Sequence, residues 1–334
     1  MSHTISEEIL FLSELDVQAL LTPEDAIAAA ENTFYRIGTG DIVVGQMSLM
    51  VTDETGRNNF HSMPAILRDR NVAGLKWINT FGAAQPGYPF SHGNLAVLCD
   101  TATGSPFAIV GATSITAMRT AGGHGVVQAK YLANPAPKIL SVFGCGVQAK
   151  AGIRGFLTQF PTIRQVRIFS RSIAPIQQMR EAYRGRAEIV RCASAEDALM
   201  GSSLILMASG AMQPLLTADM LEDGMTIVGL EGFRDLDPEI SRKAKWYLGC
   251  RQSDIDIIND PELNPDGTLS MDDVFGDLTE VLTGKIAGPE TPSETIVSTH
   301  MGTGAHDLSC AHLVYQRARK QGLGISLLLD QWQV

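Results

Sequence analysis

The run Ser141-Val142-Phe143-Gly144-Cys145-Gly146-Val147-Gln148-Ala149 sets the pattern G-x-G-x-x-A directly after an apolar stretch and at the start of a helical one. Each small residue in this pattern has a physical task. Gly144 makes the tight turn, Gly146 lets the backbone approach a pyrophosphate, and Ala149 allows close packing of helix on strand. Phosphates then sit on the helix N-terminus, where free N–H groups and the macrodipole favour negative charge. The chemistry implied is dinucleotide binding, with Val147 and Gln148 in the same turn. About 20 residues past Ala149, the second strand should end in an acidic side chain if a ribose 2′-hydroxyl is to be read. Ser170, Arg171 and Ser172 stand there instead. A serine beside a forked guanidinium suits a 2′-phosphate, so NADP(H) is expected in preference, and NAD(H) serves equally if Arg171 turns to solvent or covers the adenine.

Such a loop needs alternating strands and helices to hold it. From Lys138 onward, strands are predicted at Ile139–Phe143, Gln165–Phe169, Glu188–Arg191, Leu204–Met207, Thr226–Gly229 and Trp246–Leu248, separated by helical stretches. That rhythm implies βαβ units and a doubly wound parallel sheet, which a last strand near Glu294–Val297 leaves. The earlier chain reads differently. A strand at Ile9–Leu12 and a helix opened by Thr22-Pro23-Glu24-Asp25 precede β patterns at Val43–Val51, Phe60–Leu67, Val72–Phe81, Leu95–Cys99 and Phe107–Val110. Their local connections predict a mostly antiparallel sheet. One helix is expected over Thr113–Leu132 and another over about Gly304–Gln321.

Composition bounds the function. A chain of 334 residues, 45% hydrophobic and 19% charged, fits about two globular domains. The formal net charge of −10 lacks the basic footprint of a nucleic-acid protein, so small molecules are the expected partners. The polar, acidic start is unlike a secretory signal, and no apolar run approaches the ~18–20 residues of a membrane span, so a soluble cytoplasmic protein is expected. Five cysteines without a C-x-x-C pair read as reduced thiols. His300, His306 and His312 recur at steps of six, a rotation of ~240° on a helix, which argues against a metal cluster.

Several stretches together resemble the ornithine cyclodeaminase/mu-crystallin family. They are Met63-Pro64-Ala65, Gly74-Leu75-Lys76, Ala117-Met118-Arg119-Thr120-Ala121, the glycine fingerprint, Leu236-Asp237-Pro238, the run 276–282 and the run 302–307, in the family's order. The resemblance implies an α/β fold in which a Rossmann-type doubly wound domain, 131–300, is inserted into an α+β substrate and dimerisation domain, 1–130 plus 301–334. It also implies a homodimer and hydride transfer at the α-carbon of a small α-imino or α-amino acid, by an NAD(P)H-dependent reductase or dehydrogenase acting on the C–N bond. The alternatives are an ammonia lyase of cyclodeaminase type that recycles NAD, and a non-catalytic, crystallin-like NADPH-binding protein.

By the same resemblance, Lys76 matches the active-site lysine near the reacting carbon, and Arg119 the arginine that clamps the substrate carboxylate. Fixed positive charge suits that ligand, and a lysine flanked by Leu75 and Trp77 is desolvated, which lowers its pKa. Thr120, Ala208 and Gly229 complete the expected cofactor contacts. The departures matter as much. Ser48 is read at the place of a second carboxylate-binding arginine. Glu231 stands for a catalytic aspartate, so that Lys76 or Glu231 manages the proton at nitrogen. His300, Ser298 and Thr299 replace a small hydroxyl residue, an aromatic and a lysine. His92 falls in a loop near the nicotinamide end, and His61 offers a replacement contact for the lost arginine.

Overall fold

The computed structural model describes residues 8–52, 58–81, 93–211, 213–230, 233–259, 264 and 267–328. The chain forms two compact units, Met1–Arg119 with Thr303–Val334, and Thr120–Gly302. The boundaries thus fall after Arg119 and after Gly302, not after 130 and 300, and Thr120 and His124 belong with the second unit.

In the first unit an eight-stranded sheet runs in the order Ile325–Leu328, Glu8–Leu12, Pro106–Gly111, Leu95–Asp100, Val72–Phe81, Asn58–Leu67 and Ile42–Val44, with Ser48–Val51 also on Asn58–Leu67. Glu8–Leu12 pairs parallel to Pro106–Gly111, while the other pairings are antiparallel. The stretch expected as one strand over Val43–Val51 is two. Gly45 donates its N–H to the Pro64 carbonyl and sits so close that an added Cβ would lie 2.7 Å from the Pro64 ring, which bends the chain between them. The strand Ile325–Leu328 was not predicted; all four of its residues are exposed, so it carries no alternation to read.

Alternation in the long strands sets the core. Ala65, Leu67, Val72, Ala96, Leu98, Ala108 and Val110 face inward, where Ala305, Leu308, Ala311, Val314 and Ala318 of the helix Gly304–Gln321 pack against them. The helix Pro23–Thr39, opened by a capping box at Thr22 and closed by Gly40 at φ 83°, joins it, and Phe34 is fully buried. The opposite face carries Leu75, Trp77, Val97 and Ile109, half-buried, with Ile66 and Leu95 exposed.

The second unit is a parallel sheet ordered Glu188–Cys192, Gln165–Phe169, Ile139–Phe143, Leu204–Met207, Thr226–Gly229, Ile296–Thr299, Lys245–Leu248 and Val274–Asp277. Its first three strands wind one way and the next two the other, the doubly wound pattern with a switch point between Ile139–Phe143 and Leu204–Met207. The last predicted strand does not leave this sheet. It forms at Ile296–Thr299, hydrogen-bonded between Thr226–Gly229 and Lys245–Leu248, and the short edge strand Val274–Asp277 was not foreseen.

The helix expected over Thr113–Leu132 is interrupted. Thr113–Arg119 and Gly125–Leu132 are α-helical, and Thr120–His124 between them is a π-helical turn. The cause is a close approach to the helix Val147–Gln159: a Cβ on Gly155 would lie 2.5 Å from the Gly122 carbonyl oxygen. The Gly122-Gly123 pair lets the widened turn form there.

One contact in the first unit sets the approach of helix to sheet. A Cβ on Gly304 would lie 2.1 Å from the Met63 carbonyl oxygen. Gly304→Ala is therefore expected to lower stability by about 1–3 kcal/mol, whereas Gly210→Ala, with open space around it, should stay within about 0.5 kcal/mol of the parent; urea unfolding of both variants measures the difference.

Candidate active site

In the first unit, three ionisable side chains meet in the interior. Lys76, in the middle of Val72–Phe81 and opposite Met63 and Ala96, is fully buried. Arg119, the last residue of Thr113–Arg119, and Asp307, in the first turn of Gly304–Gln321, are buried beside it. Lys76 Nζ and Arg119 Nε each lie 3.0 Å from Asp307 Oδ1. The Lys76 ammonium carries three donors, more than this one contact uses, and Asp307 Oδ2 is buried with no hydrogen bond among the described residues. Two cations share this one anion, and the three side chains sum to one formal positive charge. Burial lowers the Lys76 pKa from 10.5 to about 8, Asp307 pulls it up, and Arg119 pushes it down.

Asp307 was missed as a site residue. The signal was present, since two cations expected in an apolar setting require a buried counter-ion, and Asp307 closes the run 302–307 that carries the resemblance.

Strand register sorts the neighbouring candidates. His61 lies opposite Leu49 and Ile78 and two residues from Met63, so it shares the face of Lys76. Ser48 does not: it pairs with Ser62, which pairs with Trp77, on the other face, and it is exposed. The expectation of Ser48 at the substrate is corrected by this parity, because neighbouring residues on a strand point to opposite sides. His92 and Glu231 lie outside the described residues.

In the second unit the expected cofactor residues gather at the switch point. Gly144 adopts φ 108°, and a Cβ there would lie 2.2 Å from the Ala208 carbonyl oxygen, a conformation and a space that only glycine tolerates. Gly146 has open space on its Cβ side, and the helix Val147–Gln159 begins there without a side-chain cap. No side chain thus competes with an anion for this helix start. Ala149 is fully buried, Val147 is exposed, and Gln148 Oε1 accepts the Ala121 N–H at 3.2 Å. The Thr120 hydroxyl is buried with no hydrogen bond among the described residues. Gly229 ends the strand beside Met207, and its carbonyl accepts the His300 N–H. Ser170 Oγ lies 3.0 Å from Cys145 Sγ and accepts the Ser172 N–H, while Arg171 is exposed. Open room over uncapped amides, with a partnerless hydroxyl nearby, fits the phosphates of a dinucleotide.

The departures at 298–300 are interior to this unit. His300 Nδ1 lies 2.8 Å from Asp254 Oδ2, Ser298 donates to Gln128 at 2.7 Å, and Trp246 donates to Thr299 at 2.8 Å. The five cysteines are free, and four of them are buried. Among the described residues no group of three His, Cys, Asp or Glu is placed to hold a metal ion, and no helix is long and apolar enough to cross a membrane.

A doubly wound sheet with a glycine cradle at its switch point defines a Rossmann-type dinucleotide-binding protein, here in a chain whose first unit buries a cationic cluster. The chain belongs to the ornithine cyclodeaminase/mu-crystallin family, whose model matches residues 7–322. It is 28% identical to an alanine dehydrogenase of Archaeoglobus fulgidus over 325 residues, 95% of this chain and 97% of that protein. It is 30% identical to the ketimine reductase mu-crystallin of Rattus norvegicus over 257 residues, 76% of this chain and 78% of that one. The solved structure of Thermococcus litoralis Δ1-pyrroline-2-carboxylate reductase in complex with NADH and L-proline is similar at a TM-score of 0.85 and 25% identity, over 95% of this chain and 99% of that chain.

The lysine gives the cluster a pH signature. Its charge is present below about 8 and is lost as pH rises through that value, so affinity for a small carboxylate such as pyruvate should fall across the same range. Calorimetric titration should show that fall in the parent protein, and a weak, flat profile in Lys76→Met.

Proposed function

We propose that this protein is an NAD(P)H-dependent reductase or dehydrogenase acting on the C–N bond of a small α-imino or α-amino acid. The observation that carries the reading is the buried Lys76, Asp307 and Arg119 cluster with its single net positive charge, in a chain that also folds a dinucleotide cradle. The relatives named as alanine dehydrogenase, ketimine reductase and pyrroline-2-carboxylate reductase support the same class.

The substrate carboxylate takes its place at the ammonium of Lys76 and the guanidinium of Arg119. Arg119 supplies donors in a planar fork and Lys76 a point charge, and burial keeps both from being screened by water. Asp307 holds the two cations against their mutual repulsion. A bound nicotinamide supplies the hydride for the α-carbon. Lys76, with its pKa lowered to about 8, or Glu231 transfers the proton at the substrate nitrogen near neutral pH. In the reductive direction a 2-keto acid and ammonium take up one hydride and one proton, and release water and the amino acid.

The pair Ser170 and Arg171, just past Gln165–Phe169 where an acidic side chain would read a ribose hydroxyl, supports NADP(H) over NAD(H), and the exposed guanidinium is accessible to a 2′-phosphate. The partly exposed apolar face of the first sheet, with Trp77, Leu95 and Val97, supports a homodimer, to be read as twice the chain mass in sedimentation.

Loss of reduced-nicotinamide absorbance with 2-keto acids plus ammonia, and with cyclic imines, tests the activity; no oxidation with any of them overturns it. Lys76→Met and Arg119→Leu should each lower kcat/KM about a hundredfold or more, because each strips one charged hydrogen bond from a buried carboxylate. Arg171→Ala should raise KM for NADPH about ten- to a hundredfold while leaving that for NADH unchanged.

A further inference from the structure

His61 is the polar side chain that the structure places next to Lys76 on the same face of the sheet, and its chemistry differs from what the missing arginine would have supplied. Its Nε2 lies 2.8 Å from Asn59 Oδ1. A carbonyl oxygen only accepts, so Nε2 carries the hydrogen and Nδ1 is left with a bare lone pair. Nδ1 is buried and has no hydrogen bond among the described residues. Burial first, and the nearby charge of Lys76 second, hold the imidazole below its ordinary pKa, so the ring is neutral.

A bare acceptor repels a carboxylate and attracts a donor. His61 is therefore no substitute for a guanidinium, contrary to the expectation drawn from its position. Its cross-strand neighbours on this face, Leu49 and Ile78, are apolar. His61 adds no positive charge to that of Lys76 and Arg119, so it offers nothing to a second carboxylate.

We infer that His61 is a specificity residue whose Nδ1 accepts a hydrogen bond from an uncharged O–H or N–H on the substrate side chain. The preferred substrate is then an α-imino acid with one carboxylate and a donor-bearing side chain, in place of a diamino acid or a dicarboxylate. This assignment rests on the reading of the Lys76 cluster as the substrate site of a C–N reductase. A buried acceptor left without its donor is costly, so a substrate that supplies the donor gains over an isostere that does not.

The test uses two isosteric pairs of 2-keto acids with ammonia and NADPH: hydroxypyruvate against 2-oxobutanoate, and 4-hydroxy-2-oxobutanoate against 2-oxopentanoate. In each pair a hydroxyl replaces a methyl group of similar size. The hydroxyl-to-methyl ratio of kcat/KM is the readout, since a general structural defect lowers both members together. The parent enzyme should favour the hydroxylated member of at least one pair by roughly ten- to a hundredfold. His61→Leu should bring that ratio to about one, and His61→Gln, which restores an acceptor, should recover a large part of it. Ratios within about twofold of unity for both pairs in the parent, or an unchanged ratio in His61→Leu, overturn the assignment while leaving the reductase reading intact. Absence of turnover with all four acids, with ketimines also inert, overturns the reductase reading and this assignment with it.

Discussion

The first unit is organised around a carboxylate shared by two cations. Removing three charges from water costs several kcal/mol per ion, and a buried pair recovers that cost only with close geometry. Asp307 meets the condition by serving Lys76 and Arg119 through one oxygen, at 3.0 Å from each. The elements around it are fitted to that point. Gly304 lets the first turn of its helix lie on the Met63 carbonyl, and the strand pairing of Met63 with Lys76 then sets the ammonium close to the first-turn carboxylate. Without either contact the lysine would be an isolated buried charge, which protein interiors do not hold.

The second unit depends on a different constraint, backbone approach without side chains. Gly144 lies against Ala208, Gly155 against Gly122, and Gly152 against Leu206 and Ala121. These contacts fix the glycine loop, the helix that follows it and the π-helical turn at Thr120–His124 as one piece. The uncapped helix start at Gly146 and the buried Thr120 hydroxyl follow from that fit. A glycine-rich turn of purely structural purpose would not need an uncapped helix N-terminus with open space before it.

What was legible in the sequence follows from how local each feature is. The glycine fingerprint acts through neighbouring residues, so strand, loop, helix and ligand class could all be read from one stretch. Lys76 and Arg119 came from the family resemblance. Asp307 did not, because its role exists only when a helix more than two hundred residues along the chain lands on the strand of Lys76. Ser48 shows a different limit. On a strand the side-chain period is two, so a displacement of one residue in reading the motif moves a side chain to the wrong face. The π-helical turn was hidden for a third reason, since its cause is the helix that packs on it and not the composition of 113–132.

Charge accounting sharpens the substrate argument further. The chain carries a formal net charge of −10, yet Lys76, Arg119 and Asp307 sum to one formal positive charge and are buried, and a buried charge has little solvent to share it with. A second guanidinium would raise that excess to two and suit a dicarboxylate or a strongly bound anion. A neutral imidazole with a buried, unpartnered lone pair leaves the excess at one and adds a demand for a donor. The site is thus matched to a ligand with one negative charge near Lys76 and a neutral polar group beyond it. That match depends on the Asn59 contact holding the His61 tautomer. A shift of the proton from Nε2 to Nδ1 would place an N–H where the lone pair now lies, and the same position would then select an acceptor.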